Sequence, residues 1–564
     1  MDFMENFNIW KEDKFFDENT RNELASLSDE KEIEDRFYQD LEFGTAGLRG
    51  VMGAGTNRMN KYTVGKATAG FGKYLLKKFG EKACRERGVV IGYDTRNNSL
   101  DFSKWSADVF SALGIKVYLL SEPRPIPVLS FAIRKFGAVG GVVVTASHNP
   151  KEYNGYKAYD ELGCQLVTEL ADEVISFVNS ITDYREVDFQ GNSELISIVD
   201  VTDEFISTIL KQSRISDKKA KSELKIVYTP LHGSGLVPVC KALDADGFSN
   251  YEIVKEQMAG DGNFPTVVSP NPEDRRALEL GIKQAEQIGA DIVLGTDPDC
   301  DRVGVAVKTK DGYQLLTGNH TGILLMDFIL TQTDLSKFKR PAVINTIVTS
   351  EMGAELARKK GAYVFSTLTG FKFIGEKIMQ FEQAKLSGND AQNYDYLFGY
   401  EESYGYLAGT HSRDKDGVVS SMLICEMAAF YKAQGKNLFE RLNELYEEFG
   451  YYLDTQDSFT LKGKDGLAQI SEMMTTLRNG QSPFEDTSKV IDYKSNVSAE
   501  EGFGLLPKSN VIKYVLGDGS WIVVRPSGTE PKIKIYYSIK GKTRDLAQNR
   551  LEKIRATIKN YLGL

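Results

Sequence analysis

Short β-branched runs alternate with amphipathic stretches along most of this 564-residue chain, and that alternation restricts its fold more than any other feature. Val89–Tyr93, Lys116–Leu120, Val142–Thr145, Lys225–Tyr228, Ile292–Gly295 and Val343–Thr346 each read as a strand, with helical patterns between them. Such alternation builds α/β layers on largely parallel sheets rather than a sandwich or a bundle. Towards the C-terminus the pattern changes. Strands predicted at Val511–Val515, Trp521–Val524 and Lys532–Tyr536 precede a long charged helix from Thr543, which describes a smaller α+β unit.

At about 150 residues per domain the length gives three to four domains. Polar, helix-poor stretches near 213–222 and 309–318, and a strand pattern restarting at Tyr451, predict domains at 1–212, 213–320, 321–450 and 451–564. Apolar content of 41% and charged content of 26% exclude wholesale disorder, collagen-like repeats and a coiled coil. A net charge of −10 provides no general positive field, so neither nucleic acid nor an acidic membrane surface is an expected partner. Any phosphate site must be local. The five cysteines, Cys84, Cys164, Cys240, Cys300 and Cys425, form no C-x-x-C pair and read as reduced thiols. The acidic N-terminus lacks the basic start and apolar core of a secretory signal, and no apolar run reaches membrane-helix length. A soluble, cytoplasmic protein is expected.

Four segments can carry chemistry. Thr145-Ala-Ser-His-Asn-Pro150, followed by Asn154-Gly-Tyr-Lys157, leaves an apolar strand and delivers the Ser147 hydroxyl to a strand end, where α/β sheets bind ligands. Ser147 is therefore a candidate nucleophile; the plain alternative is a Ser or Asx turn before Pro150. A serine-hydrolase elbow, G-x-S-x-G, is absent. Gly295-Thr-Asp-Pro-Asp-Cys-Asp-Arg302 sets Asp297, Asp299 and Asp301 at alternate positions of one loop. Three such carboxylates repel one another unless a divalent cation joins them, and hard oxygen ligands suit Mg²⁺. The glycine and terminal glutamate of a calcium-binding EF-hand loop are missing.

Gly399-Tyr-Glu-Glu-Ser-Tyr-Gly405 ends another strand with groups that recognise sugar hydroxyls, or else forms an ordinary turn. Arg413-Asp-Lys-Asp-Gly417 downstream offers a cation or a charged surface loop. Arg525-Pro-Ser-Gly-Thr-Glu-Pro-Lys532 combines a guanidinium, two hydroxyls and a glycine, the parts of a phosphate cradle, with a hairpin as the rival. The Gly-rich Phe43–Gly50 follows no strand and lacks a nucleotide-loop ending. Asp94-Thr-Arg96 and Thr369-Gly-Phe-Lys372 are supporting candidates that singly read as caps or turns. His232, His320 and His411 share no metal-ligand spacing and read as loop, helix-start and surface positions. Together the four segments describe a metal-assisted phosphotransferase acting on a phosphorylated sugar or polyol.

The four motifs, in this order, resemble those of the α-D-phosphohexomutase superfamily, and most closely its bacterial phosphoglucomutase group. The likeness runs from FGTAGLRG to the C-terminal unit. It implies a four-domain architecture, three related mixed α/β domains and a smaller C-terminal α+β domain around a central cleft, with a hinged last domain. It implies that Ser147 carries the phosphoryl group, with Asp297, Asp299 and Asp301 binding one Mg²⁺ per subunit together with that phosphoserine. Lys157 becomes the candidate general acid/base, with His148 and Arg302 near the reacting phosphate. Glu401 and Ser403 would hold sugar hydroxyls, Arg525, Ser527, Gly528 and Thr529 the non-reacting phosphate, and Lys415 and Lys372 would add contacts. The implied reaction interconverts glucose 1-phosphate and glucose 6-phosphate through glucose 1,6-bisphosphate, in a monomer or homodimer.

Three residues depart from the family pattern: Tyr400 in the sugar loop, and Pro298 and Cys300 in the metal loop. None removes a ligand. Tyr400 resembles the subgroup containing phosphopentomutases, so a pentose substrate stays open, as do a phosphomannomutase and a metal-dependent sugar phosphatase.

Overall fold

The computed structural model describes residues 2–44, 47–461, 463–495, 499–500, 504–527 and 532–564, and only the backbone of 463–465, 499–500 and 504–505. It forms two compact units, one of Met1–Leu315 with Gly405–Ala429, the other of Leu316–Tyr404 with Phe430–Leu564.

In the first unit a six-stranded sheet has four parallel strands, Gly140–Val144, Val89–Tyr93, Val117–Leu120 and, at its edge, Ile196–Val199. The strands Val89–Tyr93 and Gly140–Val144 are buried at every position, as in a sheet covered on both faces. Tyr153–Tyr159 then turns back antiparallel to Gly140–Val144 and pairs on its other side with Leu48–Val51. The Gly-rich segment thus runs into a strand of its own. Gly47, at φ +88°, has no room for a side chain: a Cβ there would lie 2.0 Å from the Tyr156 carbonyl oxygen.

Three short helices, Phe3–Glu12, Glu18–Ala25 and Glu30–Phe37, precede this sheet and were not anticipated from the sequence. Asp17 and Asp29 cap the second and third, accepting from the Thr20 and Lys31 amides. Their own core is aromatic: Phe7, Trp10, Phe16 and Phe37 gather around Tyr62, with Trp10 stacked on Phe16 at 4.2 Å.

The second sheet of this unit orders Val303–Thr309, Ile292–Thr296, Ile226–Thr229 and Tyr251–Ile253. Ile292–Thr296 is parallel to Ile226–Thr229 and antiparallel to Val303–Thr309, so residues 297–302 are the tip of a hairpin.

The second unit contains two further layers. Tyr363–Thr367, Pro341–Thr346 and Asp395–Glu401 are parallel neighbours. The C-terminal part is an antiparallel sheet ordered Tyr451–Thr460, Lys532–Gly541, Trp521–Pro526, Ile512–Leu516 and Thr487–Asp492. Its core takes buried residues from the sheet and from the helices Gly463–Asn479 and Arg544–Leu562. The expected α/β layers followed by a smaller α+β unit are what the chain forms. Among the described residues no helix is long and apolar enough to cross a membrane.

Candidate active site

Ser147 sits in the connection between Gly140–Val144 and Tyr153–Tyr159, and it adopts the left-handed region, φ +51°. A β-carbon makes that conformation costly, so its surroundings must enforce it. Its amide donates to Thr145 Oγ1 at 2.9 Å, and Oγ donates to Asp297 Oδ2 at 2.8 Å. His148 Nδ1 lies 3.2 Å from the same Oγ. Burial and the neighbouring Arg302 and Arg49 cations push the His148 imidazole down to about 2, so it is neutral. Strand pairing fixes Lys157 opposite Val143, and its Nζ reaches Asp299 Oδ2 at 3.1 Å.

The residues of the loop 297–302 are held by backbone groups from well-separated parts of the first unit. Ile126 N donates to Asp299 O at 3.0 Å, Ser234 N to Pro298 O at 2.9 Å, and Gly417 N to Cys300 O at 3.0 Å. Cys300 turns the loop with φ +47°. Asp297 Oδ1 accepts from the Asp301 and Arg302 amides, at 3.1 and 3.0 Å. One carboxylate oxygen from each of Asp297, Asp299 and Asp301 lies within 4.8 Å of the others, and all three residues are buried. Asp299 Oδ1 and Asp301 Oδ1 have no hydrogen-bond partner among the described residues. Two orphaned buried carboxylate oxygens in an all-oxygen cluster are what a hard divalent cation would satisfy, so these residues fit Mg²⁺.

Burial and mutual repulsion push the Asp297 and Asp301 carboxyls up. At Asp299 burial acts the same way, but the Lys157 ammonium and its hydrogen bonds outweigh it and the net shift is downward. Lys415, expected as an extra substrate contact, lies 3.0 Å from Asp301 Oδ2. Its neighbour Asp414 accepts the Tyr159 hydroxyl at 2.8 Å. Arg302 pairs with Glu273 Oε1 at 2.5 Å.

The remaining candidates belong to the second unit. Glu401 ends the strand Asp395–Glu401, and its Oε1 accepts the Gly370 amide at 2.8 Å. Gly370 caps the helix Phe371–Ser387, whose first turn carries Lys372, so the two motifs Thr369–Lys372 and Gly399–Gly405 meet through Glu401. Burial and the adjacent Glu401 push the Glu402 carboxyl up to about 8 against the opposing Arg525 charge. Thr346 Oγ1 donates to its Oε2 at 3.3 Å. Ser403 is half-buried in the turn that follows. Arg525 is the penultimate residue of the strand Trp521–Pro526, and the Ser527 amide donates to Lys532 O at 2.7 Å. Gly528 and Thr529 lie outside the described residues.

Two groups were missed or undervalued in the sequence. Arg96 is buried and spends its guanidinium on the Ser147 loop. The segment 261–269 lies over that loop, with Ser269 Oγ donating to His148 O at 2.6 Å. For Arg96 the signal was its place directly after the strand Val89–Tyr93; segment 261–269 carries no local pattern. Two histidines differ from expectation in burial. His411, expected at the surface, is buried with Nε2 2.7 Å from Asp416 Oδ2. His232 is in a loop as expected, but is buried between Ala259 O and Thr266 Oγ1. His320 opens the helix Gly318–Gln332, as expected.

Models described as phosphoglucomutase/phosphomannomutase α/β/α domains I, II and III match residues 40–185, 203–312 and 317–449, and the C-terminal domain model of the same family matches 479–556. A Staphylococcus aureus phosphoglucomutase is 36% identical over 530 residues, 91% of this chain and 92% of its own length. A Staphylococcus haemolyticus phosphoglucomutase is 35% identical over 543 residues, 94% of each chain. Parafusin, a phosphoglucomutase from Paramecium solved in an open form, shares the fold at a TM-score of 0.70, with 17% identity, 93% of this chain and 96% of its own covered. A Burkholderia thailandensis protein of the phosphoglucomutase/phosphomannomutase family does so at 0.67, with 19% identity, 91% of this chain and 96% of its own covered. Four such domains in this order define an enzyme of the isomerase class, an intramolecular phosphotransferase. The chain belongs to the phosphoglucomutase/phosphomannomutase family.

Proposed function

We propose that the protein interconverts glucose 1-phosphate and glucose 6-phosphate, with Ser147 as phosphoryl carrier and glucose 1,6-bisphosphate as the intermediate. The observation that carries this reading is the 2.8 Å hydrogen bond from Ser147 Oγ to Asp297, within a buried carboxylate triad that retains two orphaned oxygens. The 36% identity to phosphoglucomutases over most of the chain favours glucose among the sugars.

Asp297, Asp299 and Asp301 would hold Mg²⁺, which when bound supplies positive charge to neutralise the transferring phosphoryl group. The chain's own residues do the rest. In the first transfer the bond from phosphorus to Ser147 Oγ breaks, and a bond from phosphorus to the free sugar hydroxyl forms. Lys157, an ammonium beside Asp299, gives a proton to the departing Oγ and regains one from the sugar hydroxyl, so proton and charge balance. In the second transfer Ser147 Oγ takes the phosphoryl group at the other end of the bisphosphate, and the proton returns by the same route. His148, neutral, can donate a hydrogen bond without adding charge. Glu401 and Ser403 would hold sugar hydroxyls, with Lys372 adding a contact, while Arg525, Ser527, Gly528 and Thr529 would grip the phosphate that is not reacting. Lys415 and Arg302 would add positive charge at the reacting end. These are soluble phosphosugar substrates, in keeping with a cytoplasmic enzyme.

Two measurements test the reading. Ser147→Ala should lower turnover by orders of magnitude while the chain stays folded; turnover like the wild type's overturns it. Comparison of kcat/KM on glucose, mannose and ribose 1-phosphates should favour glucose, and a preference for another sugar by more than about tenfold overturns that choice. Release of free phosphate without isomerised sugar would instead identify a phosphatase.

A further inference from the structure

We propose that Arg96 is a positioning residue for phosphoryl transfer, locking the Ser147 loop in the one backbone conformation that aims Oγ at the carboxylate triad. The proposal rests on Ser147 being the phosphoryl carrier. The Arg96 side chain is fully buried, and its Nη2 donates to Ser147 O at 2.5 Å and to Asn149 O. Nη1 donates to Pro150 O at 2.9 Å and Tyr153 O at 3.1 Å. All four terminal N–H groups of the guanidinium therefore end on carbonyls of one loop, and the fifth, on Nε, faces Asp94 Oδ2 at 3.4 Å.

This use of an arginine is specific. Ser147 sits at φ +51°, a conformation that a non-glycine residue keeps only when its neighbours over-determine it. Arg96 fixes the carbonyl of Ser147 itself and those of Asn149 and Pro150 just beyond it. A lysine has three donors, on one atom, and cannot span carbonyls spread over seven residues. Arg96 is in turn fixed. Its amide donates to Asp94 Oδ1 at 2.9 Å, and the Phe264 ring lies over the guanidinium with its centroid 4.9 Å away. Phe264 belongs to the segment that also sends Ser269 Oγ to His148 O, so this segment closes on the Ser147 loop from outside. Gly262 permits the approach: a Cβ there would lie 2.2 Å from the Asn97 amide nitrogen.

The test uses the full chain with Mg²⁺ and compares wild type, Arg96→Lys, Arg96→Ala and Phe264→Leu. A misplaced nucleophile costs the chemical step rather than sugar binding, so both Arg96 variants should lose about 100-fold or more in kcat while KM stays near the wild-type value. Guanidinium chloride at low concentration should restore part of the kcat of Arg96→Ala and leave wild type without gain. Phe264→Leu keeps every hydrogen bond to the loop and should lose kcat severalfold at unchanged KM, which keeps the proposal testable if the arginine variants do not fold. Wild-type kcat in Arg96→Lys or in Phe264→Leu, or a rise in KM that accounts for the whole loss, overturns the positioning role. An active Ser147→Ala would overturn the underlying phosphoserine reading instead, so the two failures are told apart.

Discussion

Lys157 Nζ lies 3.1 Å from Asp299 Oδ2, although the two residues are 142 positions apart in the chain. The pairing places a proton-carrying group beside the Ser147 loop and at the same time offsets one charge of the carboxylate triad. Lys157→Arg separates those two roles, because arginine keeps the charge and cannot give up its proton. Thermal stability should stay near that of the wild type while kcat falls by about 10²–10⁴, the range for loss of a general acid/base. A steady-state assay with a parallel melting curve checks it, and retained kcat removes Lys157 from proton transfer.

Metal dependence should follow from the orphaned oxygens of Asp299 and Asp301. On the proposed reading Mg²⁺ would bind the folded triad and not the unfolded chain, so saturating Mg²⁺ should raise Tm of the chelator-treated protein; at a concentration of 100 Kd the gain is about 2.7 kcal/mol. Asp297→Asn removes one ligand charge at nearly constant volume. It should raise the Mg²⁺ concentration for half-maximal activity by about 100-fold or more, read from a metal titration. An unchanged titration curve would place the metal elsewhere.

Glu402 predicts a pH dependence of stability. Its carboxyl is pushed from the ordinary glutamate value of 4.5 up to about 8, by burial and by Glu401. The protonated form is favoured in the folded state. Its contribution is therefore fully present below pH 4.5, and it is lost as pH rises through about 8. Glu402→Gln mimics the protonated form, so its Tm should match that of the wild type near pH 4 and exceed it by a margin that grows up to about pH 8. A difference that does not grow over this interval contradicts the shift.

Tyr400, the departure that left a pentose substrate open, is wholly buried in the second unit. It fills space left by two glycines: a Cβ on Gly322 would lie 2.1 Å from its Cδ2, and one on Gly353 would lie 2.5 Å from its hydroxyl. That hydroxyl has no hydrogen-bond partner among the described residues. Tyr400→Phe should leave Tm unchanged or higher, and should not alter the ratio of kcat/KM for glucose and ribose 1-phosphates. Gly322→Ala should cost about 1–3 kcal/mol by overpacking. A changed sugar ratio in Tyr400→Phe would restore the residue to a role in specificity.

Most of the architecture was legible because buried parallel strands leave apolar runs that local sequence displays. Gly140–Val144 and the hairpin around Asp297 are cases where the strand end alone located a candidate loop. The expectation of a cation at the three alternating aspartates rests on their repulsion, which is a local fact. Tertiary pairings leave no such mark. Arg96 read as a turn residue because its acceptors lie 51 to 57 positions away. His411 read as a surface residue because nothing nearby in sequence shows Phe205 packing beside it, ring centroids 5.7 Å apart. The nearness of Lys415 to Asp301 is not readable from the chain, because its partner belongs to another motif. The N-terminal helices leave little pattern in the sequence because each buries only one or two apolar residues, Phe7 and Trp10 on the first, Leu24 on the second, and Ile33 and Phe37 on the third.

The central claim is that Ser147 carries the phosphoryl group between the two ends of the sugar. It is tested most directly by incubating the Mg²⁺-loaded enzyme with glucose 1,6-bisphosphate labelled with ³²P, quenching within a turnover and mapping the label on peptides. The account predicts label on the Ser147 peptide in wild type and none in Ser147→Ala. Label on another residue, or equal labelling of the variant, would contradict it.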